Sequence, residues 1–186
     1  MRTRYSIPTI ALHWTMAAAI GAAWLLGQVM EDFARGPDRV AATGAHALVG
    51  LAVLALVLPR LLARWLGGAP MAEAGWQGRL ASAGHLLLYA LMAAVPLAGL
   101  AILLSGRAPF PVLGLFEVPP LLAPLGLRKA LEGVHEVLAN LMVGAIALHV
   151  AATLWHALVR RDQVAARMLP FLSRRPPPAA PPATSG

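Results

Sequence analysis

The sequence predicts an all-α integral membrane protein, a four-helix up-down bundle. Three observations predict it. Only 12% of the 186 residues are charged and 59% are hydrophobic, against roughly 25% charged in an ordinary soluble domain. The apolar residues gather in four blocks, and a block of about 20 residues is long enough to cross a hydrocarbon core as a helix. The charges fall between those blocks. The net charge of +7 could signal nucleic acid, but Lys and Arg sit at block ends and not on one polar face. They are read as topology signals, and no nucleic-acid partner is expected.

The spans run over about 7–30, 40–59, 80–105 and 130–159. The first is too long for the apolar core of a signal peptide and is followed by Gln28, Glu31 and Asp32. It is therefore expected to remain as a span. Pro96 offers a kink in the third. Connections 31–39 and 106–129 share one side, and 60–79 lies on the other. The second of these carries Pro109, Pro111, Pro119, Pro120 and Pro124 and is expected to be irregular but stiff. Residues 1–172 form one four-span domain. The stretch "SRRPPPAAPPATSG", 173–186, reads as a disordered Pro/Ala-rich tail.

Ten basic residues lie on the side that holds both termini, and five lie on the other: Arg35, Arg39, Arg107, Arg128 and Lys129. Acidic residues invert the bias, with only Glu73 and Asp162 on the richer side. The positive-inside rule then puts both termini in the cytoplasm.

All six histidines, His13, His46, His85, His135, His149 and His156, fall inside predicted spans. Ionisable residues there are costly and are functional candidates by default. Any one alone could instead be a polar helix end that reaches the headgroups. Depth distinguishes these readings. At about 1.5 Å per residue, His13 and His149 lie roughly 14 and 16 Å in from Arg4 and Arg160 on the inner side. His46 and His135 both lie about 10 Å in from the outer side. The histidines thus form two pairs at matched depths on different helices. His135 and His149 are 14 residues apart, which puts them within about 40° on one helix face.

Two imidazoles without a carboxylate or thiolate make a poor zinc site, which wants four ligands. They suit haem iron, to which the porphyrin gives four nitrogens and the protein two. Gly44, Gly50, Gly133 and Gly144 would leave room for a flat ring, although small residues also serve helix packing. The absence of cysteine excludes thiolate ligands, iron–sulfur clusters and covalent haem attachment.

Four segments carry a family resemblance: "RYSIPTIALHWTMA", "HALVGLAVLALVLPRLLAR", "GHLLLYALMAAVPLAGL" and "HEVLANLMVGAIALHVAATLWH". Together they resemble the bacterial cytochrome b561 family, related to the di-haem cytochrome b subunits of nickel–iron hydrogenases and formate dehydrogenases. The resemblance implies His13 and His149 as axial ligands of a cytoplasmic-side haem b. It implies His46 and His135 as ligands of a periplasmic-side haem b, in a multi-pass protein of the bacterial inner membrane. Val134 departs from an aromatic residue that several relatives carry there.

The function implied is electron transfer through two haems, with ubiquinone as acceptor or donor. Some family members oxidise superoxide at the outer face, and Arg39, Arg128 and Lys129 could attract such an anion. They could instead be interfacial anchors or partners for haem propionates. The alternative function is a membrane-anchor subunit that takes electrons from a separate periplasmic carrier or dehydrogenase. A third is a small transporter with histidine proton relays.

His13 with His85 stays open as a rival inner pairing. His85 and His156 could also contact a haem propionate or a quinone carbonyl, or be polar helix ends. Arg60 and Arg64 are read as interfacial anchors first and propionate partners second. Met142 is read as packing, and Trp14, Trp65 and Trp155 as an interfacial belt.

Overall fold

A computed structural model describes residues 5–67 and 75–169. The expected disordered tail 173–186 lies outside the described residues, as do Arg2, Arg4 and Glu73. Four helices are long and apolar enough to cross a membrane: α1 (Ile7–Val29), α2 (Pro37–Gly67), α3 (Trp76–Leu104) and α4 (Arg128–Trp155). Below, "inner" names the end near both chain termini and "outer" the opposite end.

Local chemistry sets the helix ends. Ser6 caps α1 by accepting from the Thr9 N–H at 3.4 Å, which satisfies one of the orphan donors of the first turn. Pro37 opens α2, where its fixed φ fits and its missing N–H costs nothing. α2 runs past the predicted span to Gly67, with Pro59 inside it. Gly67 fits because a Cβ there would come 2.7 Å from Ser6 Oγ. α4 passes into a π-helical turn over His156–Arg160.

The bundle zigzags: α1 packs on α2, α2 on α3, and α3 on α4. Its dry centre has two adjoining layers. One holds Met16, Val53 and Met92, and the other Leu91, Val95 and Met142, with Ile20 touching both. The rest of the helix surface is open apolar side chain, such as Leu86 at 72% and Leu148 at 74% exposed. Lipid tails accept that surface where water would not.

The outer connection departs from the irregular loop expected. It forms an antiparallel hairpin, β1 (Phe110–Val112) and β2 (Phe116–Val118), with Val112 opposite Phe116. Leu113 and Gly114 turn it with φ of 52° and 73°. Prolines had argued against strands, but a two-stranded hairpin has free edges that tolerate Pro111. Fully buried Val112 pins it to Leu103 and Ala47.

Candidate functional site

The outer pair is the simpler of two histidine clusters. His46 on α2 and His135 on α4 face each other with ring centres 6.0 Å apart and planes at 82°. Two imidazoles bound through nitrogen on opposite sides of one metal ion, at about 2.0–2.1 Å each, stand roughly 6.3 Å apart. The spacing fits a metal between them.

Both rings are seated in the same way. His46 Nδ1–H donates to the Ala23 carbonyl at 2.8 Å, and His135 Nδ1–H donates to the Val95 carbonyl at 3.0 Å. In each case the residue four positions on is glycine. A Cβ on Gly27 would meet His46 Cε1 at 3.3 Å, and one on Gly99 would meet His135 Cε1 at 3.2 Å. So α1 and α3 each offer a carbonyl to fix the tautomer and a gap to admit the ring. With Nδ1 protonated, each Nε2 keeps its lone pair for a metal.

An apolar cavity of about 1000 Å³, counted with its open mouth, surrounds this pair. Ile20, Trp24, Gly50 and Met142 line it. The helix pairs that carry matched histidines, α1 with α4 and α2 with α4, are not among the closely packed ones. Space, donor type and ring spacing therefore all fit a haem.

The inner cluster holds three histidines. His149 stands 6.4 Å from His13 and 5.6 Å from His85, centre to centre. His85 Nδ1–H donates to its own helix at the Ala81 carbonyl, 2.8 Å away. His13 differs. Arg60 Nη2 donates to His13 Nδ1 at 2.7 Å. Guanidinium can only donate, so His13 Nδ1 accepts and the ring proton sits on Nε2. His13 can bind a metal through Nε2 only when Arg60 lets go of Nδ1.

The sixth histidine lies apart from both clusters. His156 Nδ1–H donates to Asp162 Oδ2 at 2.6 Å, and Asp162 Oδ1 accepts from the Val164 N–H. This closes the C-terminal turn. Trp14 donates to the Met168 carbonyl at 3.2 Å and ties that segment to α1.

Several sequence expectations change in detail. Gly44 makes room for the hairpin, since a Cβ there would meet the Leu113 backbone nitrogen at 3.2 Å. Gly50, Gly133 and Gly144 do face open space. Arg60, read first as an interfacial anchor, lies inside the bundle with Nε and Nη1 buried. Arg128 pairs with Glu132 at 3.0 Å, so its charge is partly compensated. Sequence reasoning missed Ala23, Gly27, Val95 and Gly99. A glycine on the partner helix near each outer histidine's depth was their only signal, and glycine is common in packed membrane helices.

Comparison with known proteins supplies a family. A family model described as prokaryotic cytochrome b561 matches residues 4–171. The chain is 29% identical over 172 residues to cytochrome b561 homolog 1 of Escherichia coli, covering 90% of this chain and 97% of that one. It is also 29% identical over 173 residues to a Yersinia pestis protein named a probable superoxide oxidase CybB, covering 91% and 98%. Cytochrome b562 of Cereibacter sphaeroides is 28% identical over 170 residues, covering 89% and 94%. A match of that length puts the chain in the prokaryotic cytochrome b561 family, and with it haem-based electron transfer in a bacterial membrane.

Proposed function

We propose that the protein exchanges electrons between its outer face and the quinone pool through two bis-histidine haem b groups. His46 and His135 would hold the outer one, and His13 and His149 the inner one. The observation that carries this is the repeated ring spacing, 6.0 Å and 6.4 Å, at the two depths. Held by these imidazoles, a haem would supply a one-electron couple.

The chain's own residues supply the rest. The Ala23 and Val95 carbonyls fix the ligand tautomers, and such second-shell bonds also raise ligand basicity. The Met16 and Met142 layers keep water from the space between the sites and hold the bundle at a fixed width. Both termini would lie in the cytoplasm, as the charge bias predicts. Ubiquinone is the quinone proposed.

Superoxide is the donor we propose at the outer face. The name of the Yersinia relative supports it. So do Arg39, Arg128 and Lys129, whose positive charge would raise the local concentration of an anion, although Glu132 weakens the Arg128 share.

A second reading of the inner ligands has its own observation. His85 already has Nδ1 tied to a carbonyl and lies nearer to His149 than His13 does. In that reading His85 replaces His13.

The test is direct. Purified protein should show a b-type α band in the dithionite-reduced minus oxidised spectrum and two haems per chain. Stopped-flow mixing with superoxide should reduce the haems faster than background dismutation, and a ubiquinone analogue should reoxidise them. A spectrum with no b-type band would sink the electron-transfer reading. Haem that superoxide leaves oxidised would assign the donor to a periplasmic carrier instead.

A further inference from the structure

Arg60 is a cation inside the bundle with donors to spare. Its Nε and Nη1 are buried without a hydrogen-bond partner. Nη2 bonds to His13 Nδ1, and the guanidinium carbon lies 5.7 Å from the centre of the Tyr89 ring. A ring face attracts a cation but satisfies few of its N–H groups. The Arg60 charge acts on His13 and His149 and least on His85, where Arg64 acts more strongly, so it stands among the inner cluster. At the inner end, among the described residues, the one carboxylate is that of Asp162, already engaged by His156 and Val164. A buried charge is tolerated when an opposite charge meets it. Among the described residues none supplies that anion to Arg60, which points to a ligand as its source.

We propose that Arg60 is the seat of a haem carboxylate at the inner site, and that the carboxylate's arrival frees His13 to bind iron. This rests on the two-haem reading with His13 as an inner ligand. While Arg60 donates to Nδ1, the ring's one proton occupies Nε2. Once the carboxylate accepts the guanidinium N–H groups, that proton shifts to Nδ1 of the same ring. Nε2 then presents its lone pair, and the ring gains or loses no charge. Arg60 is thus a positioning residue that makes ligation depend on the acid groups of the ligand. A lipid phosphate could offer similar chemistry. The guanidinium faces His13 and Tyr89 inside the bundle, which favours a ligand held between helices.

The test compares haem b with its dimethyl ester, which lacks free carboxylates. Full-length protein is depleted of haem and titrated with each, and six-coordinate low-spin haem is followed spectroscopically. The inner site is the one lost in His149→Ala. Wild type should bind haem b at the inner site at least about tenfold more tightly than the ester. Arg60→Leu should bind both alike, as should Arg60→Gln, while Arg60→Lys should keep most of the preference. The outer haem in the same sample reports whether each variant is folded. Equal binding of acid and ester by wild type would overturn the proposal. A preference that survives both Arg60→Leu and Arg60→Gln would also overturn it, with the two-haem reading intact. A wild type that takes up only one low-spin haem would overturn that reading and this proposal together.

Discussion

The two ends of the bundle treat their histidines differently. At the outer end, two rings are each seated on a backbone carbonyl beside a glycine gap, and among the described residues no charged side chain hydrogen-bonds to either. At the inner end, three rings share the space with a guanidinium, and one of them accepts a hydrogen bond from it. The outer pair is organised before any ligand arrives. In the inner cluster His13 would have to exchange a hydrogen bond before its Nε2 could take a metal, whereas His85 would not. Backbone carbonyls cannot swing away, so they lock a tautomer. A long arginine side chain can, so it leaves the tautomer switchable.

The strongest way to break this comparison is to remove ligands. His46→Ala and His135→Ala should each abolish the same haem, leaving one of two. His149→Ala should abolish the other, counted by pyridine haemochromogen assay against protein. His13→Ala and His85→Ala then decide the inner partner. Loss of the inner haem in His13→Ala with its retention in His85→Ala supports the proposed pair, and the reverse assigns His85.

The glycine seats come next. Gly99→Ala crowds His135 and should weaken outer haem binding by about tenfold, the lower end for disturbed second-shell groups. Gly27→Ala should do the same through His46. Alanine favours a helix interior over glycine by about 1 kcal/mol, so the haem-free protein should not melt earlier. Lower haem affinity at unchanged or raised Tm is the signature. A fall in both would mean that the glycines serve only helix packing.

Met142→Ala tests the layer between the sites. Met142 is 8% exposed, and its truncation should cost about 2–3 kcal/mol in denaturation. Both haems should be retained. Loss of the outer haem would show that Met142, which also lines the cavity around His46 and His135, is needed to hold it.

The smallest effect concerns the C-terminal turn at the inner end. Burial pushes the Asp162 carboxyl up, but the hydrogen bond from His156, the Val164 N–H and the Arg160 charge outweigh it, holding the pKa below the usual 3.8. A depressed carboxylate stabilises the fold above its unfolded pKa and loses that contribution as pH falls through the folded value. The turn should therefore hold at neutral pH and loosen only below about pH 4. Asp162→Asn should loosen it at pH 7 by under about 1 kcal/mol. Hydrogen exchange at the Val164 amide measures both.

Much of the bundle was legible in sequence because the bilayer imposes a length and a composition on every span. Helix ends were less so, since helices continue past the hydrocarbon edge when caps such as Ser6 or Pro37 allow. The hairpin was not legible. Its prolines argued against strands, and what holds it is Val112 packed against Leu103 and Ala47, distant in the chain. The depth pairing of histidines needed only the helical rise, so His46 opposite His135 and His13 beside His149 could be anticipated. His85 beside His149 could not, because rotation of α3 about its axis is set by packing.

The sequence by itself determined four apolar helices and the depth of each histidine along them. Those depend on composition and a fixed rise per residue. Only the tertiary structure decided which nitrogen of His13, His46, His85 and His135 is engaged, that Gly27 and Gly99 make the outer seats, and that Arg60 lies among the inner histidines. Those depend on which faces of neighbouring helices meet. A sequence states how far along a helix a residue lies, but the contacts between helices decide what it touches.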